Sequence, residues 1–295
     1  IGGNTTTAIE TYIDDAYNTW DSPPAAVLLL GDYGTGTSGI NSYIYTHPAG
    51  YPDFVSDNRF ADVDGDELPD VVFARITGNN DSQLEIMISK FLDYERDPPT
   101  ATDFYNHPIT ALGWQTERWF QICSETVGGY FKNVHGKDPV RINAIYSGTP
   151  GTAWSTATNT ATVVNYFGPS GLGYIPATPA ELGGFSGGTG QHVVAAINSG
   201  SFMLQHRDHG SYSGWGEPDF SSTTINSLTN VDNKLPFIYS INCQTGAFHN
   251  SSECFAEKFH RHTFGGENSG ALGIIAATEV SYSFVNDTYV WGLFD

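Results

Sequence analysis

Short hydrophobic runs alternate along the chain with stretches of helical periodicity. Ala25–Leu30 and Asp70–Ile76 have the length and aliphatic content of buried strands. Between about Ser82 and Tyr94 the apolar side chains recur mainly on one side of a helical projection, which predicts an amphipathic helix. Strands that alternate with helices in this way are typical of α/β folds with a parallel sheet.

The same alternation continues beyond Asp97-Pro98-Pro99-Thr100. Paired prolines end a helix and stiffen a connection, so this segment is the best internal boundary. We therefore expect one subdomain over residues 1–98 and a second over residues 99–295. The second contains long loops at about residues 147–190, where Gly, Thr, Ser and Pro are frequent. Its other predicted elements are strands at Ile109–Trp114, Val140–Tyr146, Gly200–Gln205, Leu235–Asn242 and Ala271–Thr278, and helices at Glu117–Lys132 and Cys254–His260.

Residues 62–70, Asp-Val-Asp-Gly-Asp-Glu-Leu-Pro-Asp, form the clearest local motif. Carboxylates at every second position of a tight turn converge on one centre, and Gly65 permits the bend. Calcium is bound by six to eight oxygen ligands, which such a loop supplies from carboxylates and a backbone carbonyl. The crowded like charges would repel one another without a cation. The motif therefore predicts a structural calcium site, and the alternative is a solvated acidic turn.

Charge and cysteine content narrow the classes of partner. The sequence has 32 acidic and 12 basic residues, a formal net charge of −20, so nucleic acid is a poor partner. The excess of acidic residues favours the binding of cations, either calcium or basic substrate side chains. The alternative is that it serves only solubility. Cys123, Cys243 and Cys254 leave at least one thiol unpaired, and their spacing is not that of a zinc site. No run approaches the roughly 20 apolar residues that span a bilayer.

A histidine and a cysteine follow two of the predicted strands. His209-Gly210 comes after the strand at 200–205, and Cys243 comes directly after the strand at 235–242. If these strands are parallel neighbours, both side chains emerge at one edge of the sheet, where an imidazole can activate a thiol. The backbone N–H groups of Gly210 and Cys243 would then stabilise a developing oxyanion. Each residue alone is more often inert, and only their joint placement predicts cysteine catalysis.

These residues resemble the gingipain family of cysteine peptidases. The resemblance is carried by His209-Gly210-Ser211 after an apolar strand and by Asn242-Cys243 with Cys254-Phe255-Ala256-Glu257 downstream. Gly31-Asp32, the acidic loop and Trp215 match the family pattern in order, so the resemblance covers the chain from about residue 8. It implies a caspase-like α/β fold, a three-layer sandwich of two side-by-side subdomains with mostly parallel sheets, incomplete at both ends of this chain.

The resemblance also implies an endopeptidase in which His209 is the general base and acid and Cys243 is the nucleophile. The carboxylate that orients the histidine would be Glu117, unless this residue only supplies favourable charge at a helix N-terminus. The resemblance implies cleavage after a basic residue, and Asp287 falls where the lysine-specific member, the closest in pattern, has its pocket carboxylate, unless Asp287 only caps a turn or a helix. Arg207 replaces a usually small residue and would weaken that preference. The implied calcium ligands are Asp32, Asp64, Asp66, Asp70 and the carbonyl of Leu68.

The expected partners are protein or peptide substrates, with a flanking pro-segment, adhesin or secretion-system component as further candidates. The polar surface and the family resemblance predict a secreted or cell-surface protein. Two other functions remain open. The same dyad would serve a sortase or transpeptidase, because acyl transfer only requires an amine in place of water. A non-catalytic, calcium-bound surface domain is the second, and the presence of both His209 and Cys243 argues against it.

Overall fold

The computed structural model describes residues 3–34 and 39–294, and the chain folds as two compact units. The first unit comprises residues 1–89 and 247–253, and the second comprises residues 90–246 and 254–295. The division falls inside a helix that runs without a break from Asp81 to Arg96. It therefore differs from the boundary expected at Asp97-Pro98. Among the described residues, no helix combines the length and apolarity needed to cross a membrane.

The first unit is built around two parallel strands. Its elements are α1 (Thr6–Thr19), β1 (Ala26–Leu30), β2 (Asp32–Tyr33), β3 (Gly39–Ile40), β4 (Tyr43–Tyr45), β5 (Phe54–Ser56), α2 (Asn58–Ala61), β6 (Val72–Ile76) and the first part of α3 (Asp81–Arg96). Strands β1 and β6 pair in parallel, and Ile9, Ile13, Leu29 and Phe60 form the buried cluster beside them. Arg75 donates hydrogen bonds to Asp57 at 2.7 and 2.8 Å, which fixes the loops at the strand ends.

The second unit contains a five-stranded sheet in which every neighbouring pair is parallel. The strands lie in the order Gly273–Ala276 (β15), Phe237–Ile241 (β12), Met203–Arg207 (β9), Ile109–Gln115 (β7) and Val140–Ser147 (β8). Its elements after α3 are α4 (Thr102–Asn106), β7 (Ile109–Gln115), α5 (Phe120–His135), β8 (Val140–Ser147), α6 (Thr160–Phe167), α7 (Pro179–Leu182), α8 (Gly190–Ser199), β9 (Met203–Arg207), β10 (Gly210–Ser211), β11 (Gly214–Trp215), α9 (Ser222–Ile225), β12 (Phe237–Ile241), α10 (Phe255–Arg261), β13 (Thr263–Phe264), β14 (Glu267–Asn268), β15 (Gly273–Ala276) and α11 (Ser283–Phe294).

Helices cover both faces of this sheet. On one face, Leu204 of β9 and Ile238 of β12 pack in a buried cluster with side chains of α8, α9 and α10. On the other, Met203 and Ile241 pack against α5 and α11, where Val290 is fully buried. Burial on both faces explains why the strands read as continuous apolar runs rather than as alternating patterns. The predicted α/β fold with a mostly parallel sheet is confirmed.

The predicted long loops at 147–190 contain two helices, α6 and α7, and α8 begins at Gly190. These helices are short, at eight, four and ten residues, so they give little periodic signal. At α7, Thr178 and Glu181 form a reciprocal capping box. The helix α11 is also absent from the predicted elements.

Candidate active site

Strands β9 and β12 are parallel neighbours, as the prediction for the two motifs required. Arg207 lies opposite Ile241 at the last paired position, so the chain leaves both strands at the same edge with His209 and Cys243 two residues further on. The backbone segments that follow these two strands are in contact. A Cβ added at Gly210 would lie 2.8 Å from the carbonyl oxygen of Cys243, so only glycine fits this close approach.

Buried polar side chains connect the ends of β9 and β12. Asn242 donates to His206 Nδ1 at 2.9 Å and to Ser240 Oγ at 3.0 Å, which ties β12 to β9. The His206 ring stacks on Trp215 with ring centroids 4.0 Å apart and an interplanar angle of 3°. Burial lowers the pKa of His206 to about 3, so this imidazole is neutral. The network therefore holds the strand ends in place without contributing charge.

Three side chains hold the imidazole of His209. Its Nε2 lies 2.7 Å from Oε1 of Gln115, the last residue of β7. The Tyr146 ring covers one side with ring centroids 4.5 Å apart, and Phe120 approaches edge-on at 5.4 Å. The ring is therefore fixed by one hydrogen bond and two aromatic contacts, all from elements on the β7–β8 side of the sheet.

The hydrogen bonds of Gln115 assign the tautomer of His209. Gln115 Nε2 donates to a carboxylate oxygen of Glu117 at 2.5 Å, so the amide oxygen must be the atom that faces the imidazole. An amide oxygen only accepts, so His209 Nε2 carries the hydrogen and Nδ1 is left with its lone pair. Burial lowers the pKa of His209, and the charges of Arg207 and Arg118 lower it further, whereas Glu117 opposes the shift. The ring is thus kept as a neutral base.

The thiol of Cys243 is partly exposed, whereas Cys123 and Cys254 are buried. Its Sγ lies 3.5 Å from the backbone nitrogen of Ser281, which donates to it, and 3.7 Å from the carbonyl oxygen of the same residue. Ser281 follows β15, so the strand on the other side of β12 contributes the second wall. The thiol therefore sits between the ends of β12 and β15.

Glu117, predicted to orient His209, contacts Gln115 instead of the imidazole. The hydrogen bond from Gln115 lowers the pKa of this exposed carboxyl, which stays ionised and orients the amide. The predicted role is therefore divided between two residues. Gln115 is absent from the predicted site because the family resemblance implies a carboxylate in this role. The signal was available, since Gln115 ends a strand that neighbours β9.

The placement of Asp287 corrects its predicted role as a specificity-pocket carboxylate. Asp287 is fully buried, and its Oδ1 lies 2.6 Å from Nε of Arg207. The remaining Arg207 nitrogens donate to the carbonyls of Asp208, Ile241 and Ser283. This carboxylate has neither solvent access nor free charge for a substrate, because the chain supplies its cation. The cause is the arginine at position 207 that departs from the family pattern.

In the first unit, the acidic loop brings together Asp62, Asp64 and Asp70, whose nearest carboxylate oxygens lie within 4.8 Å of one another. The Asp62 carboxylate accepts from the N–H groups of residues 65–67, and Asp70 accepts from those of residues 63 and 64. The predicted ligand set is altered: Asp62 joins Asp64 and Asp70, whereas Asp32 and Asp66 lie outside this cluster. Asp32 accepts from Tyr33 N at 2.7 Å, and Asp66 accepts from Leu68 N at 2.9 Å.

A model of peptidase family C25 matches residues 1–295. The chain belongs to peptidase family C25. Among characterised relatives it is similar to gingipain R2 of Porphyromonas gingivalis, with 23% identity over 277 residues that cover 93% of this chain and 31% of the relative. It is also similar to Lys-gingipain of the same organism, with 22% identity over 295 residues that cover 99% of this chain and 14% of the relative. The predicted gingipain resemblance is confirmed.

Two solved structures share the fold of this C25 chain. The crystal structure of the Arg-specific cysteine proteinase gingipain R matches with a TM-score of 0.74 and 21% identity, over 98% of this chain and 57% of that one. The complex of Porphyromonas gingivalis RgpB pro- and mature domains matches with a TM-score of 0.73 and 20% identity, over 98% and 58%. The chain spans less than a third of the length of the two curated relatives, 31% and 14%.

Proposed function

We propose that this chain carries the catalytic centre of a cysteine endopeptidase, with Cys243 as the nucleophile and His209 as the general base and acid. One observation carries the proposal. Gln115 holds the imidazole at the end of β9 as the Nε2–H tautomer, and a partly exposed thiol lies at the end of the neighbouring strand β12. Nucleophile, base and orienting group thus occupy three adjacent strand ends.

The tautomer determines how the proton moves. The thiol of Cys243 gives its proton to Nδ1 of His209, and the thiolate attacks the carbonyl carbon of the substrate peptide. The N–H groups of Gly210 and Cys243 are the proposed donors to the resulting oxyanion. His209 then returns the proton to the leaving amine, which departs and leaves a thioester on Cys243. Water, deprotonated by His209, hydrolyses the thioester and regenerates the thiol.

Calcium is part of the proposal as a structural ion. The donor set fits a hard cation, because Asp62, Asp64 and Asp70 offer only oxygen and their like charges lie close together. The pKa of Asp64 is raised, first by the neighbouring charge of Asp66 and then by burial, which indicates repulsion that a cation would relieve. The ion would hold the loop between α2 and β6 and would take no part in the chemistry.

The wider setting is proposed by analogy with the relatives. One solved neighbour is a complex of pro- and mature domains, which supports a pro-segment as a partner of this protein as well. Peptide or protein substrates, adhesin or secretion-system partners and a secreted or cell-surface location belong to the same proposal. The expectation of a basic residue before the scissile bond came from the family resemblance and from Asp287, and the ion pair of Asp287 with Arg207 removes the second support.

The test is peptide hydrolysis by the full-length protein and its Cys243→Ala and His209→Ala variants. Both substitutions should lower kcat/KM by about 10³-fold or more, because loss of either member disables the acyl transfer. A matched control is Cys254→Ser, which replaces a buried thiol at the N-cap of α10 with a good capping residue and should keep its activity. Iodoacetamide should modify Cys243 alone.

Equal turnover by the wild type and Cys243→Ala would exclude the proposed nucleophile. Products joined to an added amine, in excess over hydrolysis, would identify a transpeptidase that uses the same dyad. No turnover and no thiol modification by any variant would instead favour a non-catalytic domain.

A further inference from the structure

The charges around the proposed dyad point to the substrate. The carboxylate expected to receive a basic side chain, Asp287, is neutralised inside the fold by Arg207. A second carboxylate near the thiol, Glu279, is 3% exposed and accepts from Gln244 Nε2 at 2.6 Å and from Val280 N at 2.8 Å. Neither group is available to bind a lysine or an arginine of a substrate. Among the described residues, Asp287 and Glu279 therefore give no support to a basic preference.

An arginine at the same strand ends is without an ion-pair partner. Five of the seven arginines form ion pairs, and the remaining two are Arg96, which is exposed, and Arg118, which is half-buried. Within residues 3–34 and 39–294, the Arg118 guanidinium donates to no carboxylate, and its Nε is shielded from solvent without a hydrogen-bond partner. A guanidinium that no carboxylate of the chain neutralises can pair with an anionic ligand.

Arg118 lies near the segment that contacts the thiol of Cys243. Its Cζ lies 5.9 Å from the centroid of the Phe284 ring, and Phe284 follows three residues after Ser281, which contacts the Cys243 thiol. Trp119 packs on the same ring with centroids 4.6 Å apart. Arg118 is also one of the charges that lower the pKa of His209. The guanidinium thus shares its surroundings with both members of the dyad.

Two helix N-termini add to the positive potential. Helix α5 begins at Phe120, two residues after Arg118, and α11 begins at Ser283 next to Phe284. Neither helix has an acidic residue in its first turn, so the positive end of each dipole is uncompensated by the helix itself. The adjacent carboxylate of Glu117 stays ionised and its charge interacts with Arg118, but it accepts its hydrogen bond from Gln115 and forms no ion pair with the guanidinium. An anion is the ligand that this arrangement favours.

We propose that the endopeptidase cleaves after an acidic residue, Asp or Glu, whose carboxylate is bound by Arg118 over the Phe284 ring. The inference rests on the proposed function and names its substrate class. A planar guanidinium binds a carboxylate through two parallel N–H···O bonds, which favours an acidic side chain over a neutral one of the same shape. The chain's own acidic residue, Asp287, could not compete for this arginine because it is already paired.

The test compares peptides that differ only in the residue before the reporter amine: Asp, Glu, Asn, Gln, Lys and Arg. The full-length wild type should show kcat/KM for Asp or Glu at least about tenfold above that for Asn or Gln, as one charge-assisted contact supplies. Arg118→Gln should abolish this ratio, Arg118→Lys should retain part of it, and Arg118→Glu should shift the preference toward Lys and Arg. The matched control, Arg96→Gln, removes the same charge from an exposed position on α3 and should keep the ratio.

The outcomes separate this inference from the proposed function. Turnover that requires Cys243 but favours Lys or Arg, or an acidic preference that survives Arg118→Gln, overturns the inference and leaves the peptidase in place. A ratio lost equally in Arg96→Gln would attribute the effect to net charge and also overturn it. Absence of Cys243-dependent turnover on every peptide would remove the proposed function itself. Intrinsic tryptophan fluorescence reports whether each variant has folded.

Discussion

The acidic loop of residues 62–70 and the strand ends around His209 both collect charged side chains, but only the strand ends pair opposite charges. In the loop, three carboxylates lie within 4.8 Å of one another, and the chain offers them backbone N–H groups as partners. Below His209, Arg207 and Asp287 are both buried and meet at 2.6 Å. The carboxylates of the acidic loop can therefore bind an added cation, whereas Asp287 is already paired with Arg207 inside the fold.

The largest effect should come from breaking the buried pair. Arg207→Met leaves Asp287 buried without its cation, which should lower the free energy of unfolding by about 3–5 kcal/mol. Urea unfolding of the full-length protein measures this loss. The double variant Arg207→Met/Asp287→Leu removes both charges and should recover much of the stability. An Arg207→Met protein as stable as the wild type would show that the pair does not hold α11 to the sheet.

Calcium should stabilise the first unit by binding to the acidic loop. Calcium at a hundredfold excess over its Kd should add about 2.7 kcal/mol to the free energy of unfolding of the first unit, and a chelator should remove it. Asp64→Asn and Asp70→Asn should each reduce the gain, because both supply oxygens to the cluster.

Glu67→Gln is the matched control for the loop. It removes one charge from the same turn but outside the cluster, so it should leave the calcium effect largely intact. An equal loss in Glu67→Gln and Asp64→Asn would show that calcium responds only to the local density of negative charge, not to a defined site.

The two regions also differ in how far the sequence predicts them. The loop is local: its spacing within nine residues already indicates convergence, although the predicted ligands include Asp32 and Asp66 and leave out Asp62. The parallel pairing of β9 with β12 is a condition of the predicted catalytic pair, and the structure brings the two strands together in register. Periodicity and local spacing are short-range signals, so they indicate the acidic loop but do not by themselves pair strands that are distant in sequence.

The sequence does not predict which side chains contact His209, or that Arg207 pairs with Asp287. Gln115 and Glu117 divide the role expected of one carboxylate, and that division follows from how β7 lies beside β9. The contact of Arg207 with Asp287 joins residues 80 positions apart in sequence. Pairings of this kind depend on side-chain direction at the end of a sheet, which hydrophobic pattern does not specify. The family pattern pointed to a free carboxylate because its arginine neighbour is a departure from that pattern.

The smallest predicted effect comes from replacing the amide of Gln115 with a carboxylate, which adds a charge beside His209. Gln115→Glu would place a carboxylate beside His209 Nε2, where a neutral oxygen now lies at 2.7 Å. The new charge favours the imidazolium, so the pKa of His209 should rise by about one unit. A raised pKa keeps His209 protonated to higher pH, and a protonated ring cannot accept the thiol proton. The acidic limb of the pH profile of kcat/KM should therefore move to higher pH by the same amount.

NMR titration of the His209 ring measures this shift directly, and Gln191→Glu provides the matched control. Gln191 is exposed on α8, which covers the sheet face opposite α5, so the same chemical change there should leave the titration unaltered. Suppose the His209 pKa rises but the acidic limb moves to lower pH. The active form would then be the thiolate–imidazolium pair, and the amide of Gln115 would act against catalysis. If the acidic limb moves to higher pH together with the pKa of His209, the neutral imidazole is the general base. This is the state that Gln115 and Glu117 together maintain.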